Sequence, residues 1–340
     1  MKTVSFGEIM LRLKAPGHER LFQGNRLETS FCGAEANVAV SLANYGADSH
    51  YVSILPDNAI GDACIRELRS WNVKTEAIAK VPGRMGILFL EAGANQRPSQ
   101  VMYDRCFSAL AQAASDSIDW EEVLINADWF HISGITPALS PQAAEIAFSA
   151  VKTAKRNGVT VSCDLNYRKN LWNYGKTATE VMPSFVELTD VLIANEEDIQ
   201  NALGITTGFE VDSVLDSEKY EELAQKVFAV YGNLQKIAIT LRESHSADWN
   251  DWSACLFEKN ACFISKKYSI RNIVDRVGGG DSFAAGLIYG LNHYAEKQSA
   301  IEFAVAASCL KHSILGDFAR ISAKEVETLM NSEGTGRIVR

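Results

Sequence analysis

Near the carboxyl end of the chain an acid follows three glycines, in Val277-Gly278-Gly279-Gly280-Asp281-Ser282, and a helix-period stretch then runs through Tyr294. Glycines let backbone approach a ligand closely and adopt positive φ. The unbonded N–H groups of a helix's first turn, with the positive end of its dipole, form an anion site. A carboxylate beside such a site is electrostatically unfavourable unless it is used. Phosphoryl transfer to an alcohol uses one: the attacking hydroxyl must give up a proton while the N–H groups neutralise the phosphoryl. Asp281 is therefore the candidate catalytic base, with Gly278, Gly279 and Gly280 as its anion cradle. The competing reading is a tight turn with Asp281 as an ordinary N-cap. No GxxxxGK[ST] string occurs and no GxGxxG opens an early βαβ unit, so neither a Walker loop nor a dinucleotide fingerprint is present.

The elements that must position this acid are legible as an alternation of apolar runs and helix-period segments from about residue 35. Helices are predicted over Val38–Tyr45, Gly61–Trp71, Gln142–Asn157, Lys176–Leu188 and Glu221–Tyr231. Strands are predicted over His50–Leu55, Trp129–Ser133, Val159–Asp164, Val191–Ala194 and Lys236–Leu241, with a further apolar strand end over Ile273–Val277. Such alternation predicts βαβ units, hence an α/β fold with a mostly parallel sheet flanked by helices and ligands at the carboxyl ends of its strands. Two stretches, about 8–34 and 85–105, break the rhythm as paired extended segments. In the second, Met85–Glu91 and Val101–Arg105 flank a polar turn over Ala94–Ser99, which predicts a hairpin. A small sheet on such a domain makes a natural lid, and residues 1–340 read as one domain. The acidic stretch Glu210–Glu222 reads as a solvated loop and helix start.

Composition bounds the partners. The 340 residues are 47% hydrophobic and 22% charged, ordinary for a globular protein, and the net charge of −9 speaks against broad nucleic-acid binding. Seven cysteines without a CxxC pair read as reduced thiols of a cytoplasmic protein. No apolar run reaches the ~18 residues of a membrane span, and no signal-peptide pattern opens the chain. The histidines show no HxxxH or HExxH spacing, so no transition-metal site is expected.

At two distant points the chain resembles the ribokinase-type (PfkB) carbohydrate kinases. Asp275-Arg276-Val277-Gly278-Gly279-Gly280-Asp281 is similar to that family's late Asp-Thr-x-Gly-Ala-Gly-Asp motif, with Arg276 for threonine and Gly279 for alanine. Cys32-Gly33-Ala34-Glu35-Ala36-Asn37-Val38-Ala39 is similar to its early Gly-Gly-x-x-x-Asn-x-Ala motif, and Gly61-Asp62 matches a further element. The strings Gly7-Glu8, Tyr103-Asp104-Arg105, Ser133 to Ser140 and Asp164-Leu165-Asn166-Tyr167-Arg168 resemble those of the 2-keto-3-deoxygluconate kinases within the family. The resemblance implies a Rossmann-like ribokinase fold with a β-sheet lid, lids that pair between subunits, and ATP-dependent phosphorylation of the acid's terminal hydroxyl to 2-keto-3-deoxy-6-phosphogluconate.

It also implies site residues. Gly33 and Ala34 would floor the sugar site, with Asn37, Tyr103, Ile135 and Asp317 near the sugar. Arg105 and Arg168 would receive the carboxylate, since a guanidinium fork binds one bidentately. Asn166, Asn195, Thr240, Arg242, Ser244, Gly278 and Gly280 would serve the nucleotide. Where relatives carry a glycine turn, this chain reads Thr240-Leu241-Arg242-Glu243-Ser244-His245-Ser246. Asn195-Glu196-Glu197-Asp198 is similar to an Asn-x-x-Glu element that organises Mg²⁺ through water, leaving Glu197 and Asp198 both open as the metal-facing acid. An acidic helix start explains the same string. Mg²⁺ is expected on charge grounds, because ATP phosphates need a hard cation at transfer. Alternatives are a kinase of a neutral ketose or nucleoside, or a non-catalytic sugar sensor on the same fold.

Overall fold

A computed structural model describes residues 1–206 and 217–331; most of the acidic stretch from Glu210 lies outside the described residues. In its first half, β1 (Lys2–Phe6), β2 (Met10–Lys14) and β3 (Glu28–Cys32) precede α1 (Ala34–Asn44), β4 (Asp48–Pro56) and α2 (Ala59–Ser70). There follow β5 (Ile78–Val81), β6 (Ile87–Glu91), β7 (Gln100–Asp104), α3 (Trp120–Val123), β8 (Trp129–Ser133), α4 (Pro141–Arg156) and β9 (Thr160–Asp164). The second half runs through α5 (Ala178–Val186), β10 (Val191–Ala194), α6 (Glu196–Leu203), α7 (Ser217–Val230), β11 (Lys236–Ser246) and β12 (Trp249–Glu258). It ends with β13 (Ala261–Ile264), β14 (Tyr268–Arg271), α8 (Gly279–His293), α9 (Lys297–Lys311) and α10 (Ala323–Met330).

The large sheet has the order β13-β12-β11-β10-β9-β8-β1-β4-β5, with β14 also paired to β12. Its strands from β11 through β10, β9, β8, β1 and β4 to β5 are parallel; only the β11–β14 end is antiparallel. Buried strands of this kind carry apolar residues on both faces. Leu192 and Ala194 join the core under α3 to α7, while Val191 and Ile193 join the core under α1, α8, α9 and α10. The registers Ser133↔Asp164 and Ile193↔Asp164 bring the carboxyl ends of β8, β9 and β10 level. A second sheet, β3-β2-β6-β7, comes from the two irregular stretches and is mixed: β2 pairs parallel with β6, and both outer pairs are antiparallel. Its apolar residues Met10, Cys32, Leu88 and Leu90 pack toward Val277, beside the glycine run.

Most boundaries shift by a few residues, as at α1, which starts at Ala34 rather than Val38, and three departures have clear local reasons. Helix α2 starts at Ala59 because Asn58 caps it, accepting from the N–H groups of Ile60 (3.0 Å) and Gly61 (3.1 Å). The strand expected to end at Leu241 continues to Ser246, because its hairpin partner β12 pairs with it through Ser244 and, past an irregularity at His245, again at Ser246. The strand end expected over Ile273–Val277 does not form: β14 stops at Arg271, and 272–278 is loop. Among the described residues no helix is long and apolar enough to cross a membrane. All seven cysteines are unpaired thiols.

Candidate active site

The glycine run is tighter than a turn before a helix. Gly278 is the N-cap of α8 at φ 82°, and the helix includes Gly279, Gly280 and Asp281 in its first turn. Each glycine has its own reason. A Cβ on Gly278 would overlap the Asp317 carbonyl oxygen, quite apart from the left-handed φ. One on Gly279 would come within 2.8 Å of the His312 ring, whereas one on Gly280 meets nothing within 4 Å because that residue faces open cleft. Ser282 N–H bonds back to Gly278 O at 2.9 Å, leaving the N–H groups of Gly280 and Asp281 without an intramolecular acceptor among the described residues. Asp281 is thus inside the helix rather than its cap, which removes the bland explanation for an acid there.

Asp281 is half-buried, and its Oδ2 accepts from Asn37 Nδ2 at 2.6 Å. Burial pushes its carboxyl up to about 6; the Asn37 bond opposes this, Asp317 adds to it, and Arg168 and Lys311 oppose it. Asn37 itself is buried, and its Oδ1 has no partner. Its first visible function is to hold the acid.

Around these two residues a cavity of about 800 Å³ opens at the carboxyl ends of β8, β9 and β10. Gly33 and Ala34 form its floor at the start of α1; Gly33 is extended, and its missing Cβ makes room for the Glu8 carbonyl behind it. Ile135 and Asn166 line it from the loops after β8 and β9. Thr240 and Arg242 line it from β11, and Asn195 from the start of α6. Ser244 does not line the cleft: β11 continues as a strand where a nucleotide loop was expected, and carries it away.

The two arginines behave differently. Arg105 is buried and already neutralised, with Nε 2.7 Å and Nη2 2.5 Å from Glu8 Oε2, and its guanidinium lies 5.4 Å from the Tyr103 ring centroid. Arg168 is exposed in the cleft, with Nη1 2.9 Å from the Tyr167 carbonyl as its hydrogen bond. Asp317 is likewise engaged. Arg12, 1% exposed, bonds Asp317 through Nη1 and Asp275 through Nη2 at 2.6 Å. Burial raises the Asp317 carboxyl, and Arg12 opposes this. Lys311, fully buried, donates to Ile314 O at 3.1 Å close to both acids.

Of the two acids proposed to face a metal, Asp198 is the buried one. It closes a capping box with Asn195 (Asp198 N–H to Asn195 Oδ1, 2.8 Å) and accepts from Tyr167 N–H at 3.0 Å. Burial pushes its carboxyl up to about 6. Glu197 is exposed on the cleft wall. Asp164, at the end of β9, has its carboxyl raised by burial and then by Asp198 and Asp281. These hard oxygens fit a hydrated Mg²⁺, which binds through few carboxylates and keeps several waters.

Sequence reasoning missed Arg12, Glu8, Asp164, Glu35 and Lys311. Glu35 is wholly buried, and its Oε1 accepts from Ser133 N–H (3.0 Å), Ser133 Oγ (2.8 Å) and Thr136 Oγ1 (2.9 Å), tying α1 to the loop that carries Ile135. Burial holds its carboxyl at about 7. An acid two residues from Gly33 was the one available signal. For Arg12 the signal misleads: in Met10-Leu11-Arg12-Leu13-Lys14 the leucines look like the buried face, yet Met10, Arg12 and Lys14 are buried and the leucines less so.

The comparisons with known proteins agree with this geometry. Residues 1–316 match the family described as pfkB family carbohydrate kinase. A 2-dehydro-3-deoxygalactonokinase of Haloferax volcanii is 30% identical over 98% of this chain and 98% of its own. The crystal structure of a 2-dehydro-3-deoxygluconokinase from Thermotoga maritima is 50% identical with a TM-score of 0.92, over 98% of this chain and 100% of that one. A PfkB family carbohydrate kinase from Listeria grayi is 30% identical with a TM-score of 0.89, over 98% and 100%. With a family match across nearly its whole length, a helix-borne acid beside free N–H groups and a sheet-covered cleft, this chain belongs to the pfkB family of carbohydrate kinases.

Proposed function

We propose that the protein transfers the γ-phosphoryl of ATP to the terminal hydroxyl of 2-keto-3-deoxygluconate, giving 2-keto-3-deoxy-6-phosphogluconate. The observation that carries this is Asp281, a half-buried carboxylate 2.6 Å from Asn37 and beside the unbonded N–H groups of Gly280 and Asp281. Its carboxylate takes the hydroxyl proton as the substrate oxygen bonds to the γ-phosphorus and the bond to the β-phosphate oxygen breaks. The N–H groups and the α8 dipole hold the charge that collects on the phosphoryl oxygens. Mg²⁺ supplies further charge neutralisation when bound, and Glu197, Asp198 and Asp164 are the residues that would hold its waters.

Arg168 takes the substrate carboxylate, since Glu8 already neutralises Arg105. Arg105 and Tyr103 shape that end of the site, with Gly33, Ala34, Ile135 and Asp317 around the sugar. Asn166, Asn195, Thr240 and Arg242 lie toward ATP. In this reading residues 1–340 form one kinase domain of the cytoplasm, with a lid built from about 8–34 and 85–105. Strand β7 is an exposed edge carrying Val101, Met102 and Tyr103, each at least 41% exposed, and it suits pairing with the lid of a second copy.

The names of the relatives support a keto-deoxy sugar acid but divide over the configuration at one carbon. The test is ADP release with Mg²⁺ and ATP over a panel: 2-keto-3-deoxygluconate, 2-keto-3-deoxygalactonate, fructose, ribose and adenosine. The gluconate acid should give the highest kcat/KM. Faster turnover of any neutral sugar or nucleoside would overturn the reading.

A further inference from the structure

We propose that Arg276, the residue that interrupts the family's late motif, is a phosphate-binding residue that acts with Arg242 as a two-guanidinium clamp on the polyphosphate of the nucleotide. The inference rests on the kinase reading above. Both side chains line the cleft next to the glycine run, on the β11–β12 side, away from Tyr103 and Arg105 on the β6–β7 side. Arg276 is half-buried, and its Nε is buried without a hydrogen-bond partner. Its Nη2 makes two long bonds to neutral oxygens, Ser246 O at 3.4 Å and Asn250 Oδ1 at 3.3 Å.

Among the described residues neither guanidinium forms an ion pair with a carboxylate. Burial and the nearness of Arg242 both disfavour the charge of Arg276, and Asp248 offsets them only in part. Two cations held together, one of them partly desolvated, are a costly arrangement that an anion would relieve. The anion chemistry is set by what lines the same cleft: the free N–H groups of Gly280 and Asp281 suit phosphoryl oxygens, and a guanidinium fork matches phosphate geometry. The clamp also answers a structural question. Where β11 runs on as a strand and offers no glycine loop, two arginine side chains supply the donors that loop backbone would have given.

The test is calorimetric titration of the full-length protein with Mg-ATP and, separately, with AMP and with 2-keto-3-deoxygluconate. Arg276→Gln should weaken Mg-ATP binding by about ten- to a hundredfold, the span of one charge-assisted hydrogen bond. AMP and sugar-acid affinities should stay as in the wild type, and Arg276→Lys should recover part of the loss. Arg242→Gln, at an exposed position, should also lower ATP affinity relative to AMP, so the clamp remains testable if Arg276→Gln does not fold. Unchanged ATP affinity, or equal weakening of ATP and AMP, overturns the proposal. A wild-type protein that binds Mg-ATP through these arginines but phosphorylates no sugar acid would overturn the functional reading and leave the clamp standing.

Discussion

Replacing Asp281 with asparagine should remove activity and strengthen the fold, and the two effects should have different pH signatures. Asparagine keeps an oxygen that can accept from Asn37 but cannot take a proton. Turnover should fall by about 10²–10⁴-fold, the usual contribution of a general base, while sugar-acid binding persists. The stability effect follows from the carboxyl's rise from 3.8 to about 6. Below 3.8 the acid is neutral in both folded and unfolded chains and costs nothing. Between 3.8 and about 6 the unfolded chain ionises first, so stability drains away as pH rises; above about 6 the full cost is present. Two units correspond to at most about 3 kcal/mol, and partial solvation of a half-buried group reduces this to about 1–2 kcal/mol. Asp281→Asn should therefore melt a few degrees higher than wild type at pH 7.5, with the gap closing toward pH 4. Paired thermal melts across that range, with kcat measured at pH 7.5, check both halves. A variant that turns over within tenfold of wild type, or whose melting gap ignores pH, would refute the assignment of Asp281 as a buried base.

Other perturbations separate folding from chemistry. The acid limb of the wild-type kcat/KM profile should show an apparent midpoint near 6; Asp198 also titrates there, so the limb belongs to the acid cluster and should flatten in Asp198→Asn. Arg12→Met leaves Asp275 and Asp317 buried without their cation and should cost about 3–5 kcal/mol in urea unfolding. Gly278→Ala and Gly280→Ala should part company: the first collides with Asp317 and strains φ 82°, lowering stability, whereas the second leaves the melt unchanged and raises KM for ATP by crowding the open cleft. Arg168→Ala should raise KM for the sugar acid about tenfold or more without moving that for ATP.

The parallel core was legible because each of its strands is a short apolar run followed by an amphipathic stretch. Val191–Ala194 and Trp129–Ser133 match the expected bounds residue for residue. Boundaries failed where a cap or a partner strand decides them. Asn58 adds two residues to the front of α2, and β12 draws β11 five residues past Leu241. Motif reading brought together the chemistry at Gly33, Asn37, Arg168 and Asp281, all of which meet in one cavity. It could not tell which charges are already spent. That Glu8 neutralises Arg105, that Arg12 holds Asp317 and that Asp198 accepts from Tyr167 N–H are pairings between segments 31 to 305 residues apart, and no local pattern encodes them.

The Arg12 triad has a mechanical consequence. Strand β2 belongs to the small sheet, yet its guanidinium is plugged between two acids of the catalytic floor. Swinging that sheet away as a rigid flap would drag one cation and uncover two anions, a penalty of several kcal/mol in every catalytic cycle. Strand β2 is therefore anchored, and β6 is laddered to it, which leaves β7 as the outer strand, exposed along its whole length. The small sheet thus has one strand fixed to the phosphoryl floor through Arg12 and one edge strand, carrying Tyr103, that is open to solvent.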